Sequence, residues 1–110
     1  MNTEQFVLWL KTVEIEQGVL DYQQMLDGTQ PSEASNPFEQ HMLALYHRLP
    51  AAAQQALMGF VRQARIDATS RMLAIIDGIA DCPAELQLID ADSGEPLADL
   101  CDEFLVLFED

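Results

Sequence analysis

The stretch from Ala51 to about Asp77, opened by Pro50 and closed by Gly78, most constrains the fold, because its apolar residues recur at helical spacing on two sides. Leu57, Phe60, Val61, Ala64, Ala68, Met72 and Ile75 make one face. Ile66 and Leu73 sit roughly opposite Leu57, with Met58 and Ile76 between. An apolar arc this wide exceeds the single stripe of an ordinary surface helix. The helix is therefore either central and covered on both sides, or covered on one side and offered to a partner on the other. The first face, through Leu57, Val61, Ala64, Ala68 and Ile75, is expected to contact the other helices. Arg62, Ile66 and Leu73 then form an accessible side, an arginine among aliphatic residues being a common interface composition. The competing reading is that the Arg62 stem covers the rim of the core.

The remaining elements are shorter. Thr3 caps a first helix with Phe6, Val7, Leu10 and Val13 on one face. A break is expected near Gly18, after which Val19, Tyr22, Met25 and Leu26 resume the spacing until Asp27-Gly28 stops it. Residues 29–35 are polar and rich in breakers, hence a loop. Asn36-Pro37-Phe38-Glu39 is a strong helix start, with Asn36 as cap and Pro37 at the first helical position. Phe38, Met42, Leu45, Tyr46 and Leu49 follow within about 100° of arc. Further on, Leu86 to Asp90 reads as extended and Asp92-Ser93-Gly94 as a turn. Pro96 opens a last helix with Leu97, Leu100, Cys101, Phe104, Leu105 and Phe108 on one side. The expected fold is a mostly α single domain over residues 1–110. It is a bundle of four to five helices with a short extended segment or hairpin near 86–95.

The charge is far from balanced: five Lys and Arg face nineteen Asp and Glu, a net −14. Residues 1–71 hold eight acids and all five bases, whereas residues 72–110 hold eleven acids and none. Binding nucleic acid through its phosphates needs a basic stripe, which this chain lacks. No apolar run is long enough to span a membrane. His41 and His47 lie about 240° apart on their helix and cannot share a metal from it. Asp90-Ala91-Asp92-Ser93-Gly94-Glu95 fails as a calcium loop, because its glycine comes one position early and Cys101 stands where a bidentate Glu is required. Cys82 and Cys101 have no zinc-type spacing and read as small thiols in a reducing compartment. No catalytic, cofactor or metal residues emerge, and an enzyme is not expected.

The layout of Asn36-Pro37-Phe38-Glu39, then Leu45-Tyr46-His47-Arg48-Leu49-Pro50, then Ile76-Asp77-Gly78 resembles small helical bacterial proteins. Some of these resemble the immunity proteins that neutralise a toxin encoded beside them. That resemblance covers the central half of the chain and transfers no site residue. With the acidic composition it implies a protein-binding module of immunity or antitoxin type that occludes a basic partner. The start Met1-Asn2-Thr3-Glu4-Gln5, with acid where a signal peptide carries base, reads as cytoplasmic. The field of the acidic third would steer that partner, with Asp90, Asp92, Glu95 and Asp99 around the turn as its contact residues. The alternative is a self-associating structural or regulatory protein, a homodimer that uses the Arg62, Ile66 and Leu73 side.

Overall fold

The computed structural model describes residues 1–79 and 81–109. The chain is mostly α, a helical bundle carrying one short antiparallel hairpin. Helix α1 (Thr3–Leu10) runs without interruption into a π-helical segment (Lys11–Gln17) and then into α2 (Gly18–Gly28). A 3-10 turn (Pro31–Glu33) leads to α3 (Pro37–Arg48), and α4 (Ala51–Ile76) crosses the molecule. Strands β1 (Leu88–Ile89) and β2 (Pro96–Leu97) pair Leu88 with Leu97 and Ile89 with Pro96 ahead of α5 (Leu100–Val106). Among the described residues no helix is long and apolar enough to cross a membrane.

Local signals account for most element ends. Asn36 caps α3 by accepting the Glu39 amide at 2.8 Å, with Pro37 in the first turn. Gly78 ends α4 at φ +79, a conformation that glycine adopts without a Cβ clash. Asp90 accepts the Asp92 and Ser93 amides at 2.9 and 3.0 Å and so closes the turn between the strands, helped by Gly94 at φ +73. The α1 cap is Asn2, one residue before the expected Thr3, because Gln5 completes a capping box with it. Thr3 instead donates to the Ala98 carbonyl at 3.0 Å and ties α1 to the hairpin.

Two expectations about helix ends are corrected. The chain does not break at Gly18, which is α-helical (φ −61, ψ −42). The irregularity is the π segment before it, where Arg65 donates from Nε to the Glu14 carbonyl at 2.9 Å and from Nη2 to its carboxylate at 3.0 Å. A side chain at Gly18 would stand in that guanidinium's place, since a Cβ there would lie 2.3 Å from Nη2. Pro96 does not open the last helix either. It sits in β2, and α5 starts after Asp99, whose φ of 57 turns the chain sharply. The free amides of α5 are capped from outside by Asp77, which accepts Leu100 and Cys101 at 3.1 and 2.8 Å.

Apolar burial falls into two clusters strung along α4. The first joins Val7 and Ile15 to Ile66 and Leu73 and to Leu97, Leu100 and Phe104. The second is smaller and holds Leu26, Leu43, Tyr46 and Met58. The core side of α4 is therefore Met58, Ile66 and Leu73. Of the residues expected to contact the other helices, Ala64 and Ala68 are exposed and Leu57, Val61 and Ile75 are only half-buried; Phe60 and Met72, on the same face, are exposed as well. Both arcs of α4 are apolar, but two of the residues on the rejected one are alanines with little area to bury. The branched Ile66 and Leu73 gain more by meeting Phe104 and Leu100. The molecule is elongated, 49 × 32 × 27 Å, with a radius of gyration of 17.5 Å.

Candidate protein-binding surfaces

The two ends of α4 present different chemistry. At its C-terminal end the hairpin and α5 pack on α1, so the acidic third meets the start of the chain. A shallow depression there is lined by Asn2, Thr3, Glu4, Pro96, Ala98, Asp99 and Glu103. Glu4 thus joins Asp99 and Glu103 on one surface, a neighbour that the charge run alone does not reveal. Glu95 lines a neighbouring depression with Asn2, Thr3 and Pro96, and Asp92, Glu95 and Asp99 are all exposed. Asp90 is not a free contact residue. Its carboxylate meets the Met1 ammonium at 2.6 Å as well as the two turn amides. The ammonium first, and then the amides, pull its pKa from 3.8 down to about 2.

The other proposed contact residues lie elsewhere. Ile66 and Leu73 are 4% exposed and belong to the core, so they offer no surface to a partner. The reason is the exchange of faces on α4. Arg62 lies over the Phe108 ring, 5.5 Å from its centroid, with the Lys11 ammonium 5.6 Å from the same ring. The guanidinium thus lies against the edge of the first cluster, where Phe108 packs.

At the N-terminal end of α4 lies an apolar groove of about 560 Å³ between α2, α3 and α4. Tyr22, Leu26, Phe38, Met42, Leu45, Leu49, Leu57 and Val61 line it, with His41 and Arg48 on its rim. Among the described residues, none of those lining it carries a carboxylate. Phe38 is 74% exposed, and Phe60, beside Val61 on α4, is 76% exposed. The α3 stripe legible in the sequence forms this wall, but it is only partly covered. Leu43, outside that stripe, is buried with Tyr46 in the cluster that also holds Leu26 of α2. Tyr46 fixes the floor by hydrogen bonding to the Asp27 carboxylate. That bond, then burial, then the Asp27 charge push its pKa from 10.0 up to about 12.

His47 bonds to the Thr29 carbonyl at 2.9 Å, and His41 stays on the groove rim. Cys82 and Cys101 are both free thiols and only half-buried. Burial, followed by the charges of Asp102 and Asp77, raises the Cys101 pKa. Among the described residues no three His, Cys, Asp or Glu side chains converge closely enough to hold a metal ion. No family model, curated protein or solved structure matches this chain.

Proposed function

We propose that the chain is an acidic protein-binding module that captures a basic protein through the end built from the hairpin, α5 and the start of α1. The observation that carries this reading is that Glu4 shares one depression with Asp99 and Glu103, with Glu95 in the neighbouring depression that has Asn2, Thr3 and Pro96 in common with it, at the end of the molecule built from the Lys- and Arg-free third of the sequence. Like charges gathered on one surface repel one another, and a bound cation relieves that repulsion. The partner is a basic protein, and the module acts by covering it rather than by chemistry. An immunity or antitoxin-like role in the bacterial cytoplasm, with the module occluding a basic toxin, is the biological form of this reading.

Association kinetics test it, with an oligolysine peptide and a basic nuclease as probes. Charge reversal at Asp92, Glu95 and Asp99 should slow association roughly tenfold or more at low salt, and the difference should shrink as salt is added. Reversal at Asp21 and Asp67, which only bond to glutamines on their own helices, should matter less. Equal on-rates for the two sets would reject the acidic end as a recognition surface.

A further inference from the structure

We infer that the groove between α2, α3 and α4 is the seat of a second copy of this chain, making the protein a two-fold homodimer joined at the end of α4 away from the hairpin. The first support is area. The chain exposes 7634 Å², whereas a compact monomer of its 12.3 kDa mass exposes about 6,100 Å². The excess is about 1,500 Å², well above the roughly 800 Å² that each partner contributes to a stable interface. The radius of gyration agrees, at 17.5 Å against about 13 Å for a compact domain of this length. Folding alone leaves this chain with a partner's worth of uncovered surface.

The second support is where that surface is apolar. On α4, Leu57, Phe60, Val61 and Ala64 fall within about 100° of arc, facing away from Ile66 and Leu73. This arc continues the groove wall, and beneath it lies the smaller, four-residue cluster. A concave wall with a protruding Phe60 beside it is self-complementary under a two-fold axis: each copy's Phe60 meets the other's groove.

The third support is charge, and it decides for a second copy over a foreign chain with a basic docking face. Two molecules of net −14 repel least where carboxylates are fewest, and the groove lining has His41 and Arg48 but none, Glu33 and Glu39 lying only in the adjoining depression. The hairpin end stays remote. From Met58 to Leu73 is about 22 Å along α4. This inference uses the opposite end from the acidic surface and does not depend on it.

Sedimentation equilibrium over a wide concentration range tests it, on the full chain and on the Phe60→Glu and Leu45→Glu variants. The wild type should approach twice 12.3 kDa, and its melting temperature should rise with protein concentration. Each variant should weaken dimerisation by about thirtyfold or more. Glu95→Lys should leave it unchanged. Circular dichroism on the variants confirms that the helices persist, as expected for side chains largely outside the core. A mass of one chain at every concentration overturns the inference. So does a dimer indifferent to both groove variants but broken by Glu95→Lys. A monomer that instead takes up an unrelated peptide in the groove overturns it as well.

Discussion

Gly18→Ala should destabilise this protein, although the same change inside an ordinary helix stabilises by about 1 kcal/mol. The new Cβ would lie 2.3 Å from Nη2 of Arg65 and 2.9 Å from its Cζ. The guanidinium is the mobile end of a long side chain, so it yields and leaves Glu14. Two bonds go with it. The donation from Nε to the Glu14 carbonyl, at 2.9 Å, involves a charged donor and is worth about 1.5–3 kcal/mol. The ion pair with the Glu14 carboxylate is partly exposed, 29% and 47% on its two sides, and adds at most about 1 kcal/mol. Subtracting the helix gain leaves a net loss of about 0.5–3 kcal/mol, a fall in melting temperature of roughly 2–24 °C. In an Arg65→Met background the slot is empty and the sign should reverse, with alanine adding about 1 kcal/mol. Urea denaturation of the four proteins gives the coupling energy directly. If Gly18→Ala stabilises both backgrounds equally, Arg65 does not occupy that slot and the π segment is held by something else.

Sequence alone supplied the fold class, and the reason is local. Asn36-Pro37, Gly78 and the Asp90 turn each fix their own backbone through bonds to near neighbours, so nearest-neighbour chemistry is enough to see them. Apart from the one-residue shift of the α1 cap from Thr3 to Asn2, the failures are long-range. Asp77 caps α5 across more than twenty residues, which no capping pattern contains. Gly18 reads as a breaker because its reason for being glycine, the Arg65 guanidinium, lies on another helix. The periodicity of α4 located both of its apolar arcs but could not rank them, since ranking depends on what Leu100 and Phe104 bring to one side. The acidic end was visible as a charge run. Its completion by Glu4 was not, because only the packing of α5 on α1 puts Glu4 and Glu103 on one surface.

Asp77→Ala should cost about 1–2 kcal/mol, in the range of a lost helix cap, and hydrogen exchange should speed first at the Leu100 and Cys101 amides. The raised Tyr46 pKa sets an alkaline limit. With about 12 in the folded state against 10.0 unfolded, its contribution is complete below pH 10 and disappears as pH climbs from about 10 to about 12. Tyr46→Phe should flatten that part of the stability–pH curve, and an unchanged slope would remove Tyr46 as its source. The exchange of faces on α4 yields the sharpest contrast, between Leu73 and Phe60. Leu73 is 4% exposed among Ile66, Leu100 and Phe104, so Leu73→Ala removes buried methyl groups and leaves a cavity, at about 2–5 kcal/mol. Phe60 is larger but 76% exposed, so Phe60→Ala should move the stability of the separated chain by less than about 0.5 kcal/mol. Measured at a concentration low enough to keep chains apart, the two values should differ severalfold in favour of the smaller side chain. If Phe60 is the costlier truncation there, α4 turns its other arc to the core, and the groove wall that contains Leu57 and Val61 is not a surface at all.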